Sequence, residues 1–344
     1  MEKARFKWVL RERNRKIAAK TEVFTEQQAR RVRSFHSSFK EYSPTPLIEL
    51  TSLAQHLGIK NLFVKDESYR FELNAFKVLG GSFAIGSYIA NELGEDIDDL
   101  PYMRLVSDEV RSLLGSKTFI TTTDGNHGRG VAWTANRLKQ QAIVYMPQGS
   151  AAERLANIRA EGAQAEITDM NYDDTVRYTS ELAQKNGWII VQDTAWDGYT
   201  RIPLWIMQGY MTMALEAYEQ LPGKPTHIFL QAGVGSLAGS VQGFFADIYG
   251  SSCPLTFIVE PKGADCLYQT AAANDGSLHS VTGRLETIMA GLACGEPNSI
   301  AWEILGNLSD GFISCPDYTA AQGMRILGNP LAGDTKVSAG ESGA

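Results

Sequence analysis

Residues suited to metal binding are scarce in this 344-residue chain, which contains four cysteines and five histidines. The cysteines, Cys253, Cys266, Cys294 and Cys315, form no C-x-x-C pair, and His127 is the one histidine that falls within a motif. Zinc, iron–sulfur and Ser–His–Asp sites are therefore not indicated. Buried thiols are expected in a reducing compartment, while a Cys266–Cys294 disulfide stays open because spacing cannot test its geometry.

An excess of positive charge and a long apolar run are also missing. Lys and Arg number 32 against 39 Asp and Glu, which gives a net charge of −7 and a pI of about 5.4. A nucleic-acid-binding surface would show clustered cations and a basic balance. No apolar run approaches the roughly 20 residues of a membrane span, and the basic start MEKARFKWVLRERNRK has no signal-peptide core. The sequence predicts a cytoplasmic protein that binds neither nucleic acid nor membranes.

Strand and helix patterns alternate once the chain has passed Pro44 and Pro46. Continuous apolar strands separated by helices predict parallel β-α-β units with right-handed crossovers, and so an α/β fold. Residues 1–44 predict a peripheral helix and an arm. The predicted strands are 62–64, 119–122, 142–146, 165–168, 188–191, 227–230 and 257–259, and the predicted helices are 127–140, 150–160, 172–185, 204–220 and 237–249.

The units around 117–192 are compact and predict a smaller domain inserted into a larger one. We place the small, substrate-side domain at 93–192 and the large, cofactor-binding domain at 1–92 and 193–344.

Two Ser-x-x-Glu spacings are typical of the capping boxes that begin helices. Ser150 with Glu153 marks the start of the predicted helix 150–160. Ser338 with Glu341 predicts a further helix, of which only the first turn is present before Ala344. We therefore expect the chain to be truncated at its C-terminus.

The first candidate functional stretch is 65–81, KDESYRFELNAFKVLGG, which follows a short apolar strand. A helix opens near Asn74–Lys77, since an Asn or a small residue before a helical run marks a helix start. The positive end of the helix dipole disfavours a cation there, so we expect a lowered pKa for Lys77. A neutral amine is what a Schiff-base lysine requires. A solvent-exposed lysine is the alternative.

The second candidate is the turn 121–128, TTTDGNHG, between a predicted strand and a predicted helix. Ligands of open α/β sheets bind at the carboxyl ends of strands. Backbone amides and hydroxyls at such a turn favour an anion such as a carboxylate. Asp124 would add a carboxylate among these donors. An ordinary helix N-cap is the alternative, because Asp and Asn are favoured there.

The third candidate is the glycine loop 233–239, GVGSLAG, which follows the strand HIFLQ and opens a helix. Glycines let the backbone approach a phosphate, and the helix start supplies amides that point at it. The spacing misses the dinucleotide fingerprint by one residue, so a mononucleotide or a cofactor phosphate fits equally well. Tight helix–strand packing is the alternative.

Further polar and aromatic residues follow the strand WIIVQ. Asp193 ends this strand and could be a second acid or base at the same sheet edge, although a loop-starting Asp that bonds nearby amides is the alternative. The aromatic residues Trp196, Tyr199, Trp205 and Tyr210 are interpreted as packing residues.

A lysine imine partner together with a phosphate loop that lacks a nucleotide signature indicates pyridoxal 5′-phosphate. The aldehyde of this cofactor needs the lysine, and its phosphate needs the loop.

The order Phe76-Lys77, then 124–128, then 233–239 resembles the fold-type II pyridoxal-phosphate enzymes, which include serine and threonine dehydratases, serine racemase and cysteine synthase. Longer strings, from about Pro44 to the chain end, are similar to the diaminopropionate ammonia-lyase family: KDESYRFELNAFKVLGG, TTTDGNHGRGVAW, TDMNYDDTVR, VQDTAWDGYT, QAGVG and IMAGLACGEPN. The resemblance implies a two-lobed fold with mostly parallel twisted sheets flanked by helices, and a homodimer.

The resemblance further implies elimination of ammonia from D- and L-2,3-diaminopropionate to give pyruvate. Lys77 would form the Schiff base with the cofactor and act on the L-isomer. Ala75 and Asp124 stand where the dehydratases usually have Ser, and a carboxylate accepts a proton directly whereas a hydroxyl is a poor base. Asp124 is thus expected to be the base for the D-isomer, and Asp193 to lie near the β-amino group or to shape the site for the D-isomer.

The remaining implied roles concern binding. Asn126 would bond the phenolic oxygen of the cofactor, and Phe76 would lie by its ring. The other expected ligand contacts are Thr121, Thr122, Thr123 and Gly125 for the substrate carboxylate and Gly233, Val234, Gly235, Ser236 and Leu237 for the phosphate. The family's Ser or Thr partner of the pyridine nitrogen would lie past the end of this chain.

Three alternatives stay open at this point. One is a serine/threonine dehydratase or racemase on the same fold, and another is a cofactor-binding protein without turnover, including an inactive truncated form. A nucleotide-binding oxidoreductase, based on the 233–239 loop alone, is the third.

Overall fold

The computed structural model describes residues 5–12, 21–123 and 125–344. Its strands are β1 Lys7–Leu10, β2 Leu47–Glu49, β3 Phe63–Lys65, β4 Thr118–Thr122, β5 Gln141–Met146, β6 Gln164–Ile167, β7 Ile189–Ile190, β8 His227–Gln231, β9 Leu255–Pro261 and β10 Gly311–Cys315. Its α-helices are α1 Glu26–Ser37, α2 Thr51–Leu57, α3 Lys77–Leu93, α4 Tyr102–Leu105, α5 Asp108–Leu114, α6 Asn126–Arg137, α7 Ala152–Ala160, α8 Tyr172–Asn186, α9 Arg201–Gln220, α10 Ser236–Tyr249, α11 Cys266–Ala273, α12 Ser299–Leu308 and α13 Tyr318–Gly328.

Two four-stranded sheets form the framework of the fold. The first has the order β1-β10-β9-β8, in which β8, β9 and β10 run parallel and β1 pairs antiparallel with β10. The second has the order β6-β5-β4-β7 and is parallel throughout. A short antiparallel pair, β2 with β3, stands apart from both. The predicted α/β fold with mostly parallel sheets flanked by helices is confirmed.

The second sheet is buried because its central strands carry apolar residues on both faces. Phe119 and Ile120 of β4 and Val144 of β5 are fully buried. All four strands come from residues 118–190, within the predicted inserted domain. The boundaries at 93 and 192 stay a prediction.

Helix α9 lies at the centre of a group of packed helices. It is apolar on most of its faces, as expected of a buried helix, and packs against α1, α3 and α10. Helix α3 packs in turn against both α9 and α6. At the crossing of α3 and α9, a Cβ added to Gly209 would lie only 2.4 Å from the Leu79 carbonyl oxygen. This close approach of the two backbones fixes the position of the first turns of α3.

Both predicted capping boxes are wrong. Helix α7 begins at Ala152 with Ala151 as its N-cap and no side-chain cap, because the Ser150 amide instead closes a turn onto the Pro147 carbonyl. Residues 329–344 contain no helix. Glu341 forms an ion pair with Arg154 of α7, so its carboxylate is used between elements rather than within a helix.

The open question of a Cys266–Cys294 disulfide is answered, since none of the four cysteines, all of them in the described chain, forms a disulfide. Cys266 is buried, and its Sγ lies 3.8 Å from the Gly233 carbonyl oxygen. Within the described ranges, no helix is both long and apolar enough to cross a membrane.

Candidate active site

Lys77 is the first residue of α3, and no side chain caps this helix start. The chain reaches Lys77 through a strained turn in which Phe71, Glu72 and Asn74 have φ values of 48°, 60° and 58°. Non-glycine residues rarely adopt this left-handed region, and such strain persists only where the surroundings enforce it. Phe71 is buried, so its packing supplies part of that enforcement.

A buried charge cluster supplies the rest. The fully buried Arg70 binds Glu216 of α9 at 2.7 Å and Glu67 at 2.8 Å. Burial alone would raise the pKa of Glu216, but Arg70 and Lys65 lower it to about 2. Because breaking such a pair leaves an uncompensated buried charge, the cluster ties the strained turn firmly to α9.

Asp193 connects the three candidate stretches. The Lys77 ammonium donates a hydrogen bond to Asp193 Oδ2, and His127 Nδ1 of α6 lies 3.9 Å from the same oxygen. The Ser236 hydroxyl, at the start of α10, donates to the Asp193 main-chain carbonyl. The structure therefore brings Lys77, the 121–128 turn and the glycine loop to one place.

Electrostatics keep the Asp193 side chain ionised. Burial alone would raise its pKa, but the charge of Lys77 and the hydrogen bond that Lys77 donates, with His127 nearby, lower it to about 2. The carboxylate in turn favours a charged Lys77, which opposes the neutral amine expected from the helix start alone. In the state described, the pair is therefore an ion pair.

The backbone that carries Asp193 is fixed by neighbouring side chains. His127 Nε2 donates to the Val191 carbonyl at 2.8 Å, and the Tyr199 hydroxyl both donates to the Ile190 carbonyl and accepts from the Gln192 amide, each at 2.9 Å. These bonds satisfy main-chain groups of residues 190–192 at and just past the end of β7. They set the direction in which Asp193 leaves the sheet.

The glycine loop combines a suitable anion site with tight packing. Gly235 has φ 100°, and α10 begins after it without a side-chain cap, so the first amides of the helix keep their donors for an anion. A Cβ on Gly233 would lie 3.1 Å from Leu292 Cα, which shows that packing also requires glycine here. The Ser236 hydroxyl is engaged by Asp193 and Asn298. The loop thus offers backbone donors to a phosphate.

The three threonines of the 121–128 turn differ in what their hydroxyls reach. Thr121 donates to Gln192 Oε1 at 3.0 Å, and Thr122 lies 2.7 Å from the Thr179 hydroxyl, both inside the fold. Thr123 accepts from the Gly125 amide at 2.9 Å. These hydroxyls hold the turn together, so an anion at this turn would meet its backbone amides.

Two further predicted site residues lie on the same turn. Asn126 is exposed and begins α6, which has no side-chain cap. Asp124, the expected base for the D-isomer, lies outside the described residues.

Sequence reasoning missed a role for His127 and Tyr210. His127 was recognised within a motif, but its contact with Asp193 depends on residues 66 positions away. Tyr210, interpreted as packing, does pack: its ring lies 5.1 Å from the Phe76 ring, edge to face. Its hydroxyl, however, is buried and has no hydrogen-bond partner within the part of the chain that the structure describes.

Comparison with known proteins identifies the family of this chain. Residues 39–344 match the family described as pyridoxal-phosphate dependent enzyme. The fold and the lysine-centred site thus define a pyridoxal-phosphate-dependent enzyme.

Within this class the chain belongs to the diaminopropionate ammonia-lyase family. It is 53% identical to the diaminopropionate ammonia-lyase of Salmonella typhimurium over 318 residues, which cover 91% of this chain and 79% of that protein. It is 52% identical to the Escherichia coli K12 enzyme over 326 residues, covering 94% and 80% of the two chains.

Solved structures show the same relationship. The holo diaminopropionate ammonia lyase from Escherichia coli has a TM-score of 0.91 and 49% identity, covering 99% of this chain and 84% of that chain. The E. coli enzyme in complex with D-serine has a TM-score of 0.90 and 48% identity, with the same coverage. A threonine deaminase from Solanum lycopersicum, at 20% identity and a TM-score of 0.74 over 98% of this chain and 86% of that chain, shares the fold.

Proposed function

We propose that this protein catalyses the pyridoxal-phosphate-dependent α,β-elimination of D- and L-2,3-diaminopropionate to pyruvate and ammonia. The observation that carries the proposal is the ion pair between Lys77 and Asp193, next to the glycine loop and at the start of α3. The 53% identity to the diaminopropionate ammonia-lyase of Salmonella typhimurium supports the assignment of this chemistry to the chain. The relationship to this family disfavours the dehydratase, racemase and oxidoreductase alternatives.

The residues present fit the cofactor. Lys77 offers an amine for its aldehyde, and the uncapped start of α10 after Gly235 offers amides for its phosphate. The exposed Asn126 and the half-buried Phe76 stand at neighbouring helix starts, where they would meet the ring. When bound, pyridoxal phosphate supplies a ring that stabilises negative charge at the substrate α-carbon.

We propose that Lys77 accepts the α-proton of the L-isomer. Once protonated, its ammonium is stabilised by the Asp193 carboxylate, whose low pKa keeps it ionised at neutral pH. The same carboxylate would hold the β-amino group in its ammonium form, which is the better leaving group. Asp193 therefore acts as an electrostatic partner, because a carboxylate with a pKa of about 2 is fully ionised at pH 7 and is only a weak base.

We propose that Asp124 accepts the α-proton of the D-isomer. The first residues of α6, which has no side-chain cap, would present backbone amides to the substrate carboxylate. The threonines 121–123 shape this turn through the bonds described above.

Two substitutions test the proposal. Lys77→Ala should abolish the yellow colour that the protein gains with pyridoxal phosphate, together with pyruvate release from both isomers. Asp124→Asn should strongly reduce pyruvate release from the D-isomer and spare the L-isomer. Unchanged turnover of the D-isomer by Asp124→Asn would show that the second base lies elsewhere.

Assembly, location and domain division complete the proposal. We propose a cytoplasmic homodimer in which 93–192 forms the small domain. The family resemblance implies the dimer, and the parallel sheet formed within residues 118–190 supports the small domain. Size-exclusion chromatography with light scattering tests the oligomeric state.

A further inference from the structure

The Tyr210 hydroxyl is anomalous for a packing residue. The side chain is 1% exposed, and its oxygen has no hydrogen-bond partner among the residues described. A buried polar group left unsatisfied carries a cost in stability. Phenylalanine would fill the same space without that cost, so packing alone does not explain a tyrosine here.

Tyr210 is held beside the first turn of α3. Its ring packs edge to face on Phe76, and a Cβ added to Gly80 would lie 2.6 Å from its Cε1 atom. Phe76 and Gly80 lie on either side of Lys77 in sequence and share one face of the helix. With α9 packed backbone to backbone against α3 at Gly209, the ring has little freedom to move.

The titratable groups near Tyr210 are those of the candidate site. Lys77 of α3 and Asp193 after β7 both act electrostatically on its phenol, and His127 of α6 lies near that same Asp193 carboxylate. Burial raises the pKa of Tyr210 above its ordinary value, although the Lys77 charge opposes the shift. The phenol is therefore neutral at pH 7 and can donate a hydrogen bond.

A donor is needed at this place whenever Lys77 leaves Asp193. The Asp193 side chain is 5% exposed, and a buried carboxylate without its cation is strongly destabilising unless another donor compensates it. The proposed function requires that departure, since the Lys77 amine joins the cofactor and exchanges protons with the substrate.

We propose that Tyr210 is a further positioning residue, whose hydroxyl donates a hydrogen bond to the Asp193 carboxylate when the Lys77 ammonium moves away. This proposal rests on the proposed function. It explains why the hydroxyl lacks a partner while Lys77 occupies Asp193.

The test compares Tyr210→Phe with Tyr218→Phe as a matched control. Tyr218 lies two turns further along α9 and packs against Phe244 and Tyr249, away from Lys77. In the cofactor-free protein, Tyr210→Phe should unfold at the same or a higher temperature than the wild type, because an unsatisfied hydroxyl is removed. A clear loss of thermal stability would overturn the proposal, since it would show that the hydroxyl already has a partner.

With the cofactor, the expected effects reverse. Tyr210→Phe should bind pyridoxal phosphate about tenfold more weakly or worse, as expected for a lost hydrogen bond to a charged group. It should also lower kcat more than it changes KM. The acidic limb of the kcat–pH profile should move toward neutral pH, because loss of a donor raises the pKa of a carboxylate.

Tyr218→Phe should leave the affinity and the profile unchanged. An unchanged affinity and an unchanged profile in Tyr210→Phe would overturn the proposal. A wild-type protein that binds the cofactor but releases no pyruvate would instead overturn the proposed function, and the comparison of cofactor affinities would still decide the role of Tyr210.

Discussion

Lys77 donates a hydrogen bond to the Asp193 carboxylate, although the two residues lie 116 positions apart in the chain. One residue begins α3, which packs against α6 and α9, and the other follows β7 of the second sheet. The contact therefore joins the element that would carry the cofactor to the sheet that would carry the substrate. Several expectations depend on this pair.

Asp193→Asn should reduce turnover of both isomers by roughly ten- to a hundredfold, the magnitude of a lost charge-assisted hydrogen bond. The neutral amide can no longer stabilise the Lys77 ammonium formed with the L-isomer, nor hold the β-amino group of either isomer in its ammonium form. Steady-state rates of pyruvate release measure the effect. Asp197→Asn, at an exposed position four residues on, is the matched control and should be unaffected. Equal turnover by wild type and Asp193→Asn would refute the role of this carboxylate.

The same pair predicts how stability depends on acid. The pKa of Asp193 in the folded protein, about 2, lies below its ordinary value of 3.8. A carboxylate with a lowered pKa stabilises the fold above the unfolded value, and this contribution is lost as the pH falls toward the folded value. The stability difference between wild type and Asp193→Asn should thus be constant above about pH 4 and shrink toward pH 2. Chemical denaturation at each pH measures it.

Asp173 predicts the opposite dependence. Burial and the Glu296 carboxylate raise its pKa to about 6, although Arg177 opposes the shift. The folded state then binds more protons than the unfolded state between the ordinary value and about pH 6, so this residue's contribution to stability is lost as the pH rises through that window. Asp173→Asn should be more stable than the wild type above pH 6, with the advantage gone below about pH 4.

The control for this prediction is Asp174→Asn. Asp174 lies next in sequence, is exposed and pairs with Arg177 at 2.8 Å, so its removal should not stabilise the protein at any pH. Thermal unfolding from pH 4 to pH 8 separates the two. If the thermal stability of Asp173→Asn does not exceed that of the wild type at pH 7, the Asp173 charge does not destabilise the folded protein.

The ion pair between Arg154 and Glu341, 2.5 Å long, joins helix α7 to the C-terminal tail. The Arg154 stem also packs on Gly125, beside the turn proposed to hold the substrate carboxylate. Both partners are about a third exposed, so the pair should contribute less than about 1 kcal/mol to stability. Glu341→Gln should therefore leave thermal stability almost unchanged.

The effect of Glu341→Gln on KM should be larger than its effect on stability. Removing the acid makes the net charge around Arg154 more positive near the turn proposed to bind a carboxylate, so KM should fall by up to about fivefold at low salt. Glu296→Gln removes the acid of the Arg177 pair and serves as the control. A rise in KM for Glu341→Gln would contradict the expectation.

Gly235→Ala should damage the proposed phosphate site. With φ at 100°, alanine would be strained, and its Cβ would lie 3.1–3.3 Å from Leu305, Leu267 and Ala301. We expect a loss of about 1–3 kcal/mol in unfolding free energy and weaker cofactor binding. Gly223→Ala, where nothing lies within 4 Å of the added Cβ, is the control and should be neutral. If Gly235→Ala binds pyridoxal phosphate as tightly as the wild type, the glycine loop does not bind the phosphate.

Local sequence patterns predicted the strands and helices well, and they predicted the positions where helices begin less well. The alternation of apolar strands and helices foretold the parallel sheets, because the buried strands have their own apolar signature. Lys77, Asp193 and the glycine loop were each placed at the end of a strand or the start of a helix, and parallel topology then brings such ends together. The two predictions of capping boxes were wrong because the Ser150 amide donates to the Pro147 carbonyl and Glu341 pairs with Arg154.

What sequence could not show depends on contacts between distant residues. The inward hydroxyls of Thr121 and Thr122 follow from Gln192 and Thr179, which pattern alone does not pair with them. The unsatisfied oxygen of Tyr210 appears only once α9 is packed against α3. Such contacts depend on tertiary structure. A motif therefore predicts which residue types are present, while their contacts become known only from the folded chain.

The most direct test of the account is pyruvate release by the purified protein, supplied with pyridoxal phosphate, from D- and L-2,3-diaminopropionate. D- and L-serine and D- and L-threonine are the comparison substrates. The account predicts pyruvate from both diaminopropionate isomers at rates well above those from serine, and loss of both in Lys77→Ala. Turnover of serine or threonine without release of pyruvate from either diaminopropionate isomer would contradict it.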